Sequence, residues 1–298
     1  MTVALTLVAE SVRLAAPYAA LAIAGAWSER AGVVQIGLEA VLLTSAFGAA
    51  AAALATGSAV VGLGAALVVG MSVSWVHVAL VERLRVDPIV SGMALNLAAF
   101  AGTRTLLRGL YDSASNSPAL AVAATVGSGE VGALARVLLD PLTLAIAFAA
   151  VASPWWLANT RFGLQIRAVG EAPPAARAAG VSVWRVRASA LLVSGALGAL
   201  GGAHLVFDQR RFEAGMSAGR GFVALAAVAL AGRDPLRAAL ACVGFGALEA
   251  LQVQLQDVAG LRGVRALVQA LPYVVTLGAL VVAARRAKTS SVSTNSEK

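Results

Sequence analysis

Polar side chains able to hydrogen-bond a small solute recur in a chain that is otherwise rich in Ala, Val, Leu and Gly. Gln35 and Glu39 follow a Gly-containing stretch, and Ser91 and Asn96 follow Asp87-Pro88. Such groups within apolar segments raise a functional question, because burying them costs free energy. We interpret these four residues as candidates for lining a solute path. The alternatives are a plain turn for the first pair and interhelical hydrogen bonding for Asn96.

A second set of polar residues occurs late in the chain. His204 and Asp208 are four residues apart and can meet on one helix face, which would suit a proton relay. Gln209 follows them directly. Glu249 and Gln252 share a face of a later apolar segment, so that face is expected to line a polar path or to contact a partner, not lipid.

Several kinds of chemistry are missing from the sequence. Neither lysine, Lys288 or Lys298, lies in a Gly-rich phosphate-binding loop, so the chain is not an ATP-binding subunit. The single cysteine, Cys242, excludes an intrachain disulfide, and no metal-ligand or nucleophile–base spacing occurs. We therefore expect no catalytic residues, no metal and no cofactor in this chain.

Composition places the chain in a membrane. Its mean hydropathy is +0.82, 59% of its residues are apolar and only 13% are charged, whereas soluble domains carry about 25% charged residues. The net charge of +8 comes from Arg residues in loops between apolar segments. That placement is typical of the positive-inside rule and does not indicate a nucleic-acid partner.

The apolar segments predict an all-α polytopic membrane protein with about nine spans. One permease-like domain covers 1–284, and a polar tail at 285–298 is expected to be disordered. The Arg distribution places the N-terminus outside and the C-terminus inside a cytoplasmic membrane. The seventh span is short for a full crossing and is interpreted either as a half-helix or as a tilted continuation. The predicted spans are 11–27, 36–56, 59–80, 89–107, 138–158, 188–207, 222–232, 236–255 and 264–284.

The polar, Arg-rich loop 159–187 interrupts these spans. Pro173 and Pro174 stand at its centre and Gly180 follows a short Ala-rich run. Pro in a first turn and Gly just past a last turn predict a short helix near 173–179. A capped helix between spans is what a transporter presents to a soluble motor.

Four segments in order, 28–39, 90–96, 160–181 and 215–226, carry a family resemblance. They include Ser28-Glu29-Arg30-Ala31-Gly32, Ser91-Gly92-Met93 and Arg161-Phe162-Gly163. The chain resembles the permease subunits of ABC importers of the ribose/galactoside and nucleoside group. It is closest to bacterial nucleoside-type permeases that work with a basic-membrane-protein lipoprotein. It departs from the family pattern at Gln35 and Pro88.

The resemblance implies a function and partners. The chain would form the solute path of an ATP-driven importer, with a nucleoside as cargo. Its partners would be a cytoplasmic ABC ATPase that holds ATP and Mg²⁺, a second homologous permease and an extracytoplasmic lipid-anchored binding protein. The family positions expected to dock the ATPase are Gly163, Arg167, Gly170, Glu171, Ala179 and Gly180.

Three alternatives remain open from the residues. A simple-sugar importer would use the same architecture. An ion-coupled secondary transporter would use His204, Asp208 and Glu39 as its couplers. A membrane anchor that only holds other subunits would not depend on Gln35 or Asn96 for solute uptake.

Overall fold

In a computed structural model, the structure describes residues 2–121, 134–135 and 137–256. Within these ranges the regular elements are helices that run up and down through one bundle. The helices are α1 (Thr2–Arg30), α2 (Leu38–Thr56), α3 (Ala59–Glu82), α4 (Pro88–Tyr111), α5 (Pro141–Asn159), α6 (Arg161–Glu171), α7 (Pro173–Ala178), α8 (Val183–Gln209), α9 (Arg220–Leu230) and α10 (Pro235–Gln256).

Six of the described helices, α1, α2, α3, α5, α8 and α10, are long and apolar enough to cross a membrane. This confirms an all-helical multi-pass membrane protein. α4 is long enough but carries Arg104 and Arg108 in its second half and is not among the six. The count of about nine spans is not confirmed. The predicted span 264–284 and the predicted tail 285–298 lie outside the described residues.

The centre of the bundle is formed by α1, α2 and α8, with α3, α5 and α10 packed around them. Their contact surfaces are built from Ala and Gly, which lets helix backbones approach closely. A Cβ atom on Gly195 of α8 would lie 2.5 Å from the carbonyl oxygen of Gly70 in α3. One on Gly202 of α8 would lie 2.7 Å from the carbonyl oxygen of Leu42 in α2. Small residues therefore set the spacing of the core.

Helix α9 has the half-helix length expected for the seventh span. Its 11 residues extend about 16 Å, roughly half the thickness of a bilayer hydrocarbon core. Gly219, at φ +81°, precedes the helix, and the chain approaches it through the turn-rich segment 213–219. The buried residues of α9 include Gly221, Ala224 and Val228, so one face packs against the central helices.

We expect Gly202→Ala to destabilise the bundle. The new Cβ would press on Leu42 and on the amide nitrogen of Ala46, 2.9 Å away. Overpacking of this kind costs about 1–3 kcal/mol, more than the roughly 1 kcal/mol that Ala gains over Gly in a helix. Gly244→Ala in α10 is the control, because no described atom lies within 4 Å of its Cβ position. The measurement is the thermal unfolding midpoint in detergent, and equal midpoints for both variants would contradict the close α2–α8 approach.

Candidate functional site

The site is organised around the break between α1 and α2, residues 31–37. This stretch is not helical, so its carbonyl groups lack the usual partners within a helix. Side chains from other helices supply them: Arg187 Nε donates to the Ala31 carbonyl at 3.0 Å, and Asn96 Nδ2 donates to the Ile36 carbonyl at 3.1 Å. Such a break is tolerated in a membrane only where the protein itself satisfies the backbone.

Gln35 occupies the middle of the break and is fully buried. Its Nε2 donates to Ser74 Oγ of α3 at 2.7 Å, and its Oε1 accepts from Ser194 Oγ of α8 at 2.6 Å. Ser194 Oγ also lies 2.7 Å from the Ala24 carbonyl of α1. Both ends of the amide have a partner, so Gln35 connects the break to two helices, α3 and α8. Its predicted place in a solute path stays a prediction.

Ser91 and Asn96 fix the break from α4. Asn96 Oδ1 accepts from the Ala40 amide at 2.9 Å, so this one side chain bridges both sides of the break. Ser91 is buried and its hydroxyl lies 3.0 Å from Nδ1 of His77, whose Nε2 lies 3.2 Å from the Val34 carbonyl. Because a carbonyl oxygen only accepts, Nε2 of His77 carries a proton. These contacts correspond to the interhelical role that the sequence left open for Asn96.

Glu39 lies in the first turn of α2 and reaches the N-terminus of α9. Its Oε1 accepts from the Gly219 amide at 2.8 Å and its Oε2 from the Gly221 amide at 2.6 Å. The first amides of a helix have no partner within the helix, and the helix dipole makes that end positive. A carboxylate there therefore satisfies two donors and the dipole together. The half-helix is tethered to α2 by one side chain.

Glu249 of α10 pairs with Arg220, the first residue of α9. Arg220 Nη2 lies 2.8 Å from Glu249 Oε1, and Arg220 Nη1 donates to the Met216 carbonyl at 2.8 Å. The Arg220 guanidinium also lies over the ring of Tyr18 in α1, 5.4 Å from its centroid. Only 9% of the Arg220 side chain is exposed. Glu249 thus neutralises a buried cation and binds α9 to α10.

His204 and Asp208 do not form the predicted pair. Arg13 of α1 separates them: its Nη1 lies 3.0 Å from Asp208 Oδ2, and its carbonyl lies 3.3 Å from His204 Nε2. Nδ1 of His204 instead faces Asp140 Oδ2 at 3.4 Å. Burial disfavours ionised Asp140, but hydrogen bonds from His204 and Thr143 outweigh this and hold the pKa of Asp140 below its usual value.

Gln209 and Gln252 are not brought to the break. Gln209 is the exposed last residue of α8, and Gln252 is half-buried on α10, one turn beyond Glu249. The eight candidate path residues thus separate into three places. Gln35, Glu39, Ser91 and Asn96 surround the break, His204 and Gln209 lie at the C-terminal end of α8, and Glu249 and Gln252 lie on α10.

The predicted coupling helix is present as α7, Pro173–Ala178. Pro173 begins it, and Gly180 at φ +80° ends it, with the Gly180 amide donating to the Arg177 carbonyl at 2.9 Å. Glu171, Ala179 and Gly180 are exposed beside it. The surface that the sequence expects a partner to contact is therefore uncovered in this chain.

The other three predicted coupling residues contact their own chain. Gly163 is buried at the α5–α6 joint, where a Cβ would lie 2.6 Å from the Trp156 carbonyl. Arg167 Nη2 donates to the Ala158 carbonyl at 3.2 Å. A Cβ on Gly170 would lie 3.2 Å from the Gly32 amide nitrogen and would collide with the Arg30 carbonyl. Helix α6 thus rests directly on the start of the break.

Arg187 contacts the break, and it was not identified from the sequence. Besides Ala31, its guanidinium contacts Glu82 at the end of α3, and both side chains are mostly buried. It joins α3 and α8 to the same end of the break that α6 contacts. An Arg near the start of a span is also what the positive-inside rule produces, so its sequence position carries no separate signal.

A cavity of about 400 Å³ lies at the other end of the bundle, near the C-terminal ends of α4 and α8. Two connections, one after α4 and one after α8, form its walls. Its lining residues are Arg104, Ala114, Ser115, Asn116, Glu213 and Ala214.

Comparison with known proteins identifies the family. A family model described as branched-chain amino acid transport system / permease component matches residues 7–284. The chain belongs to this permease family. The matched range includes the break, the coupling loop and the half-helix.

Three relatives of the chain are named as permease proteins of ABC transporters. The chain is 33% identical over 257 residues to the guanosine ABC transporter permease protein NupQ of Bacillus subtilis, covering 80% of this permease and 79% of the relative. It is 31% identical over 293 residues to the nucleoside ABC transporter permease protein NupC of Lactococcus lactis, covering 91% and 90%. It is also 32% identical over 238 residues to the putative glucose ABC transporter permease protein TsgC13 of Haloferax volcanii, covering 77% and 71%.

Glu39→Gln is expected to loosen α9. An amide nitrogen would face a backbone N–H donor, and the charge at the helix N-terminus would be lost. A hydrogen bond to a charged group contributes about 1.5–3 kcal/mol, so amide hydrogen exchange at the start of α9 should become at least about tenfold faster. Glu171→Gln is the control, because Glu171 is exposed and belongs to α6, which does not contact α9 among the described residues. Wild-type exchange in Glu39→Gln would show that the carboxylate does not hold the half-helix.

The Arg220–Glu249 pair predicts strong non-additivity. Glu249→Leu or Arg220→Met alone leaves a buried charge without its partner, which destabilises proteins by about 3–5 kcal/mol. The double variant Arg220→Met, Glu249→Leu removes both charges and should unfold at a higher temperature than either single variant. Thermal unfolding of all four proteins in detergent measures this. Additive losses would mean that the two side chains do not stabilise each other.

Proposed function

We propose that this chain is the membrane permease subunit of an ATP-driven importer, with a nucleoside as its solute. Two relatives of similar length are named as guanosine and nucleoside ABC transporter permeases. The glucose permease relative makes a simple sugar the second candidate. The ATP-binding machinery belongs to a separate subunit in this proposal, and the chain itself contributes the path and the mechanical link.

The packing of α6 against the α1–α2 break is the observation that carries the proposal. α7 and Gly180 present an uncovered surface to a motor, while Gly170 on the adjoining helix touches Arg30 and Gly32. A push on α7 would therefore reach the segment that holds Gln35 through packed backbone, with no flexible connection between them. Rigid contacts of this kind transmit small shifts to distant elements.

The family resemblance supports three proposed partners. We place a cytoplasmic ABC ATPase, with its ATP and Mg²⁺, against α7. A second homologous permease would complete the path, and a lipid-anchored binding protein would deliver the solute at the opposite end. This orientation places the N-terminus outside and the C-terminus inside the cytoplasmic membrane.

The charges within the bundle favour a neutral solute. The positive N-terminus of α9 is occupied by Glu39, and the cation at the same helix end is neutralised by Glu249. Neither offers an uncompensated charge to an anionic solute, and a half-helix N-terminus is where transporters often bind one. Nucleosides and simple sugars are neutral, in accord with the proposal.

The test is solute uptake in cells whose own gene is replaced by tagged variants. The wild type should take up labelled guanosine faster than labelled glucose, and the tag should recover an ATPase. Replacing 173–178 by six Gly and Ser residues should abolish both uptake and ATPase recovery, because α7 would no longer be a rigid docking helix. The control is a Gly244→Ala protein, expected to behave as wild type.

Three results would overturn this proposal. Undiminished guanosine uptake after the Gly-Ser replacement would show that α7 does not couple a motor to transport. Uptake that stops when an ionophore collapses the ion gradient, with cellular ATP kept constant, would favour an ion-coupled transporter. Uptake of glucose but not guanosine would show that the solute is a sugar, and the proposed role as an importer permease would remain.

A further inference from the structure

The cavity beside Arg104 has preformed walls. The two connections that enclose it are joined by main-chain hydrogen bonds: Ala214 N to Ser115 O at 2.7 Å, and Ser117 N to Phe212 O at 2.9 Å. The Phe212 side chain is fully buried and stacks edge-on against Phe47 of α2, which anchors the pair of connections to the core. The cavity mouth is therefore fixed in shape before any solute arrives.

An aromatic and cationic surface lies at the cavity. The Arg104 guanidinium lies over the ring of Phe100, one turn earlier on α4, 4.7 Å from its centroid. Gly215 at φ +80° passes the ring edge so closely that a Cβ would lie 3.2 Å from it. Phe100 is thus held between Arg104 and the second connection, and 42% of it is still exposed.

Arg104 takes part in none of the salt bridges among the described residues. An arginine inside a membrane-associated helix without a carboxylate partner raises a functional question by default. Its planar group can stack on a second planar ring with the face turned away from Phe100.

The remaining groups suit a neutral solute with hydroxyls. Asn116 offers an amide, Ser115 a hydroxyl and Glu213 a carboxylate, which together donate and accept hydrogen bonds. Glu213 Oε1 already accepts from Arg211 Nε at 2.8 Å, which leaves Glu213 Oε2 to accept from a solute hydroxyl. Its volume of about 400 Å³ lies in the range of small-molecule sites, about 300–1,000 Å³.

We propose that this cavity is a nucleoside subsite at the entrance of the path, an inference that rests on the nucleoside-importer function proposed above. The base stacks on the Arg104 guanidinium, which Phe100 supports from the opposite side, as bases stack on guanidinium planes elsewhere. Asn116 and Glu213 hydrogen-bond the ribose hydroxyls. A sugar without a planar ring loses the stacking, so the subsite favours nucleosides over glucose.

Uptake kinetics with the complete transporter provide the first test. Phe100→Leu and Arg104→Gln should each raise the apparent KM for guanosine about tenfold, because stacking of one base is worth roughly a factor of five to more than a hundred in affinity. Arg104→Lys keeps the charge but loses the plane, so it should resemble Arg104→Gln. Arg108→Gln, one turn further along the same exposed helix face, should leave the KM unchanged.

A protection experiment gives a second readout that does not depend on turnover. Cys242 is the single cysteine of the chain and is buried, so Ala114→Cys adds one accessible thiol at the cavity wall. Guanosine should slow its reaction with a maleimide, and glucose should not. Ala119→Cys, exposed on the same connection but outside the cavity lining, is the control.

The outcomes separate the two proposals. Wild-type guanosine uptake with an unchanged KM in Phe100→Leu and Arg104→Gln would overturn the subsite and leave the importer function intact. If the KM were unchanged in Arg104→Lys and raised in Arg104→Gln, the charge of Arg104 and not its planar group would bind the solute. Equal maleimide rates with and without guanosine would also count against the subsite. A wild-type transporter that takes up glucose but no guanosine would overturn both the nucleoside assignment and the subsite, and would leave the importer function in place.

Discussion

The break between α1 and α2 is the constraint on which the rest of the molecule depends. Its carbonyl groups lie inside a helical bundle with few backbone partners, and leaving them unpaired there would cost several kcal/mol each. Arg187, His77 and Asn96 satisfy three of them. Because these side chains come from α8, α3 and α4, the position of the break fixes how three further helices pack.

The positive charges at the N-terminal end of the half-helix α9 are compensated by carboxylates from two other helices. Glu39 compensates the positive helix end, and Glu249 compensates the Arg220 cation. Each carboxylate comes from a different helix, so electrostatic pairing also acts as a mechanical connection. Glu39 thus connects α2, which directly follows the break, to α9, and Glu249 connects α9 to α10.

Close backbone contact links this centre to the cytoplasmic surface assigned in the proposed function. Gly170 of α6 touches Arg30 and Gly32, and any side chain at this position would separate the two segments. Glycine at this position allows the two backbones to lie close together, and does not serve to make the chain flexible. The same principle operates between Gly70 and Gly195, where two long helices approach backbone to backbone. A bundle held by such contacts moves in rigid pieces.

Local composition predicted the membrane class and most helix positions, and Pro173 and Gly180 predicted the short helix between two spans. The sequence also marked Gln35 and Asn96 as polar groups that need partners. Which partners they have depends on how the helices pack. Helical periodicity predicts that His204 contacts Asp208. Asp208 instead pairs with Arg13 of α1, which is far away in the sequence but packs against α8. Long-range pairing of buried polar groups depends on which helices become neighbours, and periodicity within one segment contains no information about that.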